Sequence, residues 1–165
     1  MQIEKDMTHD AAPERVFAMM TDPAFIAARC EASGATGHTQ QVSVDGESVV
    51  VTVDRTMPTD DAPDLLKTFA RNGVEIHEVI TWGPPDASGS RTAQITLDFV
   101  GQPMKMRGHM DLHAAPEGAA LSVRAELKAA VPLLGGKIEK MTAPLILDAI
   151  TSEETIGREW LARSS

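Results

Sequence analysis

The stretch TAQITLDFVGQPMKMRGHMDLHAAPEGAALSVRAELKAAV, at Thr92–Val131, decides the fold of this chain. Apolar and polar residues alternate along it, and turn-forming residues interrupt the alternation at Gly101-Gln102-Pro103 and at Ala115–Gly118. Such a pattern predicts antiparallel strands that bury one face. We expect these strands at Thr92–Val100, Met104–His113 and Leu121–Val131.

The inward residues of these strands predict how the strands pair. Placing Phe99 opposite Met104 and Met110 opposite Val123 brings apolar side chains together, as a sheet with one buried face requires. The same alternation extends toward the N-terminus and predicts four further strands, at Gln2–His9, Thr36–Val44, Ser48–Met57 and Val74–Trp82.

One hairpin has a specific turn signal. Asp45-Gly46 separates two of the alternating segments, and such a dipeptide favours a two-residue turn. We expect Val44 opposite Glu47 and Val42 opposite Val49, so that the valines share the inward face.

Helices are expected on either side of these strands. Pro13 and Pro23 start two short helices in tandem, and Asp64–Arg71 predicts one or two helical turns. After Gly135-Gly136 the apolar spacing predicts a long amphipathic helix to about Ala162. Its expected inward stripe comprises Ile138, Met141, Leu145, Ala149, Ser152, Ile156 and Trp160. Pro144 predicts a kink or a break near Lys140–Pro144.

The fold class that follows is α+β, with a curved antiparallel seven-stranded sheet wrapped on a long C-terminal helix and two short helices after the first strand. The length of 165 residues is that of a single domain spanning residues 1–165.

The charge balance excludes some classes of partner. The net charge of −9 disfavours binding to nucleic acid and to anionic membranes. No apolar run is long enough to span a bilayer, and the charged start MQIEKDMTHD has no signal-peptide character. We therefore expect a cytoplasmic protein without stable membrane insertion, and leave open whether it forms a homodimer. The single cysteine, Cys30, is expected to be a small buried apolar residue.

Several segments resemble an uncharacterised bacterial branch of the START-like (SRPBCC, helix-grip) superfamily, whose members include lipid carriers, polyketide cyclases and aromatase-type enzymes. The resemblance extends over essentially the whole chain. The segments that carry it are PERVFAMMTDPAFIAARCEASGA at Pro13–Ala35, VDRTMP at Val53–Pro58, EVITWGPPDASGSRTA at Glu78–Ala93, VPLLGGKIEK at Val131–Lys140 and EWLA at Glu159–Ala162. The resemblance implies a cavity between the curved sheet and the long helix, and it implies no catalytic residue.

Two charged residues interrupt the inward apolar pattern. Glu78 lies between Ile76 and Ile80, and Arg55 follows Val53 on the inward face of the preceding strand. Because an unpaired buried charge is costly, we expect these side chains to pair or to face a solvent-filled cavity. One interpretation is a polar anchor, in which Arg55 binds a carboxylate or phosphate. The other is a structural ion pair at the rim of the sheet.

Histidines give weaker signals. His38 shares an inward face with Gln40, which makes it a candidate general base or a hydrogen-bonded wall residue. His109, Asp111 and His113 share one strand face and resemble a metal-ligand set. However, the methionines of that strand take the inward face, so we expect this trio to point to solvent and predict no metal site. Phosphate-loop, dinucleotide and nucleophile-elbow motifs are absent, and no cofactor is expected.

The apolar residues complete the expected site. The chain has nine Met but no Tyr, and methionine adapts to irregular space. Together with Arg55, Glu78 and His38, the residues expected to bind a ligand are Met57, Leu66, Phe69, Trp82, Phe99, Met104, Met106, Met110, Met141 and Leu145. The leading hypothesis is a carrier or sensor of a small hydrophobic or lipid-like molecule. The alternatives are a cyclase- or dehydratase-type enzyme that uses His38, Arg55 and Glu78, and a non-enzymatic interaction domain with a closed interior.

Overall fold

Seven strands form one antiparallel sheet in the order β1-β7-β6-β5-β4-β3-β2 in a computed structural model that describes residues 1–163. The strands are β1 (Gln2–His9), β2 (Gly37–Asp45), β3 (Ser48–Met57), β4 (Val74–Trp82), β5 (Arg91–Phe99), β6 (Met104–Ala115) and β7 (Gly118–Ala129). The helices are α1 (Pro13–Met20), α2 (Pro23–Ala32), α3 (Asp64–Phe69) and α4 (Gly135–Arg163). The predicted α+β helix-grip architecture is confirmed.

The pairing of β5, β6 and β7 follows from the alternation of their apolar residues. Met110 lies opposite Val123, as predicted, and Leu97 lies opposite Met106. Strand β7 begins earlier in the chain than expected, because Gly118 pairs with Ala115 across a tight turn. The inward faces of these strands therefore form one continuous apolar surface.

The hairpin between β2 and β3 differs from its predicted register by two residues. Val44 pairs with Val49 and Val42 with Val51, so the turn residues are Gly46 and Glu47. Gly46 has φ +64°, and a glycine at the first turn position supplies this left-handed backbone without steric cost. Because side chains alternate with a period of two, the valines stay on the inward face despite the shift.

Helix α4 runs without interruption through Pro144, so of the predicted kink or break the break is wrong. A proline removes one intrahelical hydrogen bond to the carbonyl four residues earlier. Pro144 and Lys140 both lie on the exposed side of α4, where water can take the place of that bond.

The buried face of α4 also differs from the predicted stripe. The buried residues are Ile138, Thr142, Ala143, Gly157 and Leu161, whereas Leu145 is 46% exposed. Several of these residues are small, and they let the helix lie close to its neighbours. A Cβ at Gly157 would lie 3.0 Å from Cε1 of His9, so this glycine permits the approach of α4 to β1. Of the predicted stripe, Ile138, Leu145, Ala149 and Ser152 line the cavity between the sheet and α4, whereas Thr142, Ala143, Gly157 and Leu161 were not predicted to be buried.

The short helices close one part of the interior between the sheet and α4. Phe17 of α1 packs edge-on against the fully buried Trp82, with ring centroids 5.6 Å apart. Phe25 of α2 packs in the same manner against Trp160 of α4, at 5.5 Å. These contacts fix α2 so that one of its faces points into the interior. Within residues 1–163, none of the helices has both the length and the apolar character that crossing a bilayer requires.

Candidate functional site

A cavity of about 450 Å³ lies between the sheet and α4. Its wall is mostly apolar and is formed by inward residues of β1 and of β3 to β7 together with α2, α3 and α4. The apolar wall residues include Met57, Ile76, Ile80, Ile95, Leu97, Phe99, Met104, Met106, Met110, Val123, Ile138, Ile146 and Ile150. This volume is within the range of small-molecule sites, which are about 300–1,000 Å³.

A cluster of four charged side chains forms one part of the wall. We call Arg29, Arg55, Glu78 and Glu153 the charge cluster; all four line the cavity. Arg29 of α2 donates a short hydrogen bond to Oε1 of Glu78 on β4. Nη1 of Arg55, on β3, lies 3.4 Å from Oε2 of the same carboxylate. Nη1 of Arg29 also lies 3.7 Å from Oε2 of Glu153 on α4. The cluster thus joins two helices to the middle of the sheet.

Burial and charge act in opposite directions on Glu78. Burial alone would raise the pKa of this carboxyl, but the guanidinium groups of Arg29 and Arg55 outweigh burial and lower the pKa to about 2. Glu78 is therefore ionised at neutral pH. For Glu153, by contrast, burial dominates over the attraction of Arg29 and raises the pKa of the carboxyl. The two carboxyl groups of the cluster therefore differ in how readily they accept a proton.

Helix α3 and the turn after β5 form another part of the wall. Leu66 and Phe69 of α3 line the cavity. The turn holds the backbone of α3, because Nε2 of Gln102 donates a hydrogen bond to the Phe69 carbonyl at 2.6 Å. Leu145 of α4 also lines the cavity while remaining 46% exposed, which places it where the cavity meets solvent.

Most of the residues expected from the sequence are brought together on this wall. They are Arg55, Met57, Leu66, Phe69, Glu78, Phe99, Met104, Met106, Met110 and Leu145. They come from six different elements, so only the fold makes them neighbours.

Three of the expected residues lie away from the wall. His38 is on the edge strand β2, where Nδ1 contacts Oε1 of Gln40 at 2.9 Å and Nε2 lies 3.5 Å from Glu31. Trp82 is at the end of β4, buried against Phe17. Met141 is on the flank of α4, since the buried face of that helix passes through Thr142 instead. The expectation that these three line the cavity is therefore corrected.

Two residues of the charge cluster were missed by sequence reasoning, although the sequence contains a signal for each. Arg29 follows Phe25 by four positions and Ile26 by three, which places it on the apolar face of α2. Glu153 follows Ala149 by four positions, on the side of α4 that faces the cavity. A charge on an apolar helix face, read together with Glu78, would have identified the cluster.

The row of His109, Asp111 and His113 lies on the outer face of β6, as expected. His109 and His113 are exposed, and Nε2 of His109 is 3.5 Å from Oδ2 of Asp111. Over residues 1–163, no group of three or more His, Cys, Asp or Glu side chains is arranged to hold a metal ion.

Solved structures with the same fold include a lipid transfer protein and an aromatase/cyclase. A STAR-related lipid transfer protein from Xanthomonas axonopodis superposes with a TM-score of 0.59 at 12% identity, over 95% of this chain and 85% of that one. The di-domain aromatase/cyclase StfQ of the steffimycin biosynthetic pathway superposes with a TM-score of 0.63 at 12% identity, over 96% of this chain and 50% of that one. At these identities the likeness shows the fold alone, and it confirms the START-like architecture.

Sequence comparison gives the family. The uncharacterized protein Rv0481c of Mycobacterium tuberculosis is 25% identical over 122 residues, which are 73% of this chain and 69% of that protein. The sequence profile of a family described as "Protein of unknown function (DUF2505)" matches residues 4–161. With nearly its whole length matched and its START-like fold in place, the chain belongs to the DUF2505 family.

Proposed function

We propose that this protein binds a small, mostly apolar molecule in the cavity between the sheet and α4, with the polar end of that molecule at the charge cluster. The observation that carries the proposal is the cavity itself, because about 450 Å³ of space with an apolar wall contains charged groups in one part. Ligand sites are typically apolar pockets with a few polar groups that fix orientation.

The size of the cavity favours a binding site over a packing defect. Protein interiors are close-packed, with few voids larger than a water molecule. Unfilled volume lowers stability by about 24 cal/mol per Å³ in core truncations. A closed interaction domain has no physical reason to keep an interior space of this size next to four charged groups. The methionines of the wall suit a carrier or sensor, since they can adapt to tails of different shape.

The state of Glu78 argues against the enzyme alternative. A carboxyl with a pKa of about 2 is ionised at neutral pH, and here it is engaged with two guanidinium groups. A general acid or base works best when its pKa is near the working pH. His38, the other candidate, lies away from the wall. The lipid-transfer neighbour therefore offers a closer analogy than the aromatase/cyclase neighbour, and we infer a lipid-like ligand.

A cavity-filling variant tests the proposal. We expect the neutral fluorescent dye Nile red to bind the wild-type protein and to bind Met104→Trp at least tenfold more weakly, because the indole occupies space in the cavity. Gln94→Trp, on the exposed outer face of β5, is the matched control and keeps wild-type affinity. Circular dichroism checks that both variants fold. Absence of dye binding to the wild type, or equal binding by Met104→Trp, contradicts the proposal.

A further inference from the structure

The charge cluster is neutral only when Glu153 is ionised, and this dependence points to the charge of the ligand. Arg29 and Arg55 contribute two positive charges, and both contact the single carboxylate of Glu78. The fourth member, Glu153, has to supply the second negative charge if the cluster is to be neutral. Because buried charge is costly unless it is paired, one positive charge depends on Glu153 or on a bound molecule.

The distances indicate that Glu153 compensates this charge poorly. Oε2 of Glu153 lies 3.7 Å from Nη1 of Arg29, whereas a charge-assisted hydrogen bond measures about 2.7–2.9 Å. Arg55 is 11% exposed, its hydrogen bond to Glu78 is long at 3.4 Å, and it also interacts with the thiol of Cys30. Neither the contact of Arg29 with Glu153 nor that of Arg55 with Glu78 has the length of a strong charge-assisted hydrogen bond, and a ligand carboxylate can bind a guanidinium group through both of its oxygens.

Glu153 is placed where it can give way to such an acceptor. It lies on α4 and its side chain is 19% exposed, so it can turn away from Arg29 without unfolding the helix. The charged groups that face it are Arg29 on α2, Arg55 on β3 and Glu78 on β4, and Cys30 lies beside the two arginines. Asp148, on α4 itself, is exposed. Glu78 is held by two guanidiniums, which leaves Glu153 as the weakly held anion.

We propose that the ligand is an amphiphile with one carboxylate, which binds Arg55 and Arg29 in competition with Glu153. This inference rests on the proposed function, since it names the head group of the molecule in the same cavity. The tail occupies the apolar wall, and Glu153 is the residue that determines specificity for a single negative charge.

Proton uptake follows from this competition. Burial already raises the pKa of Glu153, and a second carboxylate nearby raises this pKa further, because like charges disfavour ionisation. Binding of the anion therefore drives a proton onto Glu153. The affinity is then highest at low pH and falls by up to tenfold per pH unit, from the pKa of Glu153 in the free protein up to its pKa in the complex.

The test compares decanoate with 1-decanol by isothermal titration calorimetry. At pH 6.5 we expect decanoate to bind the wild-type protein at least tenfold more tightly than 1-decanol, and this advantage to shrink as the pH is raised to 9. Titration in two buffers with different ionisation enthalpies measures the protons taken up with decanoate. We expect net uptake by the wild type with decanoate and none with 1-decanol.

The variant Glu153→Gln separates the role of this residue from the effect of the ligand's own proton. We expect its decanoate affinity to equal or exceed that of the wild type, without pH dependence and without proton uptake. Glu159→Gln makes the same charge change on the exposed side of α4 and behaves as the wild type. If 1-decanol binds as tightly as decanoate, or if uptake persists in Glu153→Gln, the inference fails and the proposed function stands. If neither molecule binds, both fail.

Discussion

The contribution of Glu78 to stability can be predicted in magnitude and in pH dependence. In Glu78→Gln, Arg29 remains 7% exposed but loses its closest anionic partner. Removing one member of a buried ion pair costs about 3–5 kcal/mol. The pKa of Glu78, which the two guanidinium groups lower from 4.5 to about 2 in the folded protein, gives a figure of the same order. At about 1.4 kcal/mol per pKa unit, this shift corresponds to about 3 kcal/mol.

The sign of the pH dependence follows from the direction of this shift. Because the pKa of Glu78 is lower in the folded protein than in the unfolded chain, ionised Glu78 stabilises the fold above about pH 4.5. That stabilisation is lost as the pH falls from about 4.5 to about 2. Glu153 has the opposite shift, so its ionisation opposes folding as the pH rises through its raised pKa. The two effects are distinguished by comparing variants.

Urea denaturation at a series of pH values is the assay. At pH 7 we expect Glu78→Gln to be about 3–5 kcal/mol less stable than the wild type, and the difference to diminish as the pH approaches 2. Glu75→Gln, on the exposed face of the same strand, is the control and stays within about 0.5 kcal/mol of the wild type. A loss below about 1 kcal/mol at pH 7, or a loss of the same size at pH 3, refutes the reasoning.

The remaining predictions concern packing. A Cβ at Gly108 would lie 2.3 Å from a backbone oxygen of β7, so we expect Gly108→Ala to lower Tm by roughly 5–10 °C in thermal unfolding. The control is Gly37→Ala, which has no atom near its Cβ and leaves Tm nearly unchanged. Leu127→Ala, at a fully buried position, lowers the free energy of unfolding by about 2–5 kcal/mol in urea denaturation. Leu133→Ala, at a fully exposed position, lowers it by less than about 0.5 kcal/mol, and equal losses would contradict the described core. Cys30 is buried, and burial raises the pKa of its thiol. We therefore expect Cys30 to react with a disulfide reagent at least a hundredfold more slowly in the native protein than in urea. Rapid labelling of the native protein would show that α2 opens.

The strands of the sheet were predictable because the alternation of apolar and polar residues within each strand shows which side chains point inward. One-sided burial fixes the alternation, and alternation fixes which residues of β4 to β7 point inward. The β2–β3 turn was misplaced because both candidate turns include Gly46 and keep Val42 inward, whereas the observed pairing of Asp45 with Ser48 allows only the later turn. The closest contacts of α4 were missed because close approach depends on small residues such as Gly157, which carry no apolar signal.

The charge cluster was only partly predictable because its members lie far apart in the sequence. Arg55 and Glu78 are on neighbouring strands, so a strand-by-strand analysis brings them together. Arg29 and Glu153 reach the same carboxylate or its surroundings from two helices, whose positions depend on how the core packs. The alternation places a charge on a face, whereas the tertiary fold determines its partner.

The bond between Arg29 and Glu78 has a consequence for how the interior responds to an occupant. Contacts among methionine and aliphatic side chains have no preferred direction, so the wall that they form can yield in many ways. A guanidinium–carboxylate pair depends on both distance and angle, and here it holds α2 at a set position relative to β4. The interior is therefore stiff at one end and compliant over the rest. An incoming molecule would be discriminated by shape and charge at the stiff end, and by little more than its bulk elsewhere.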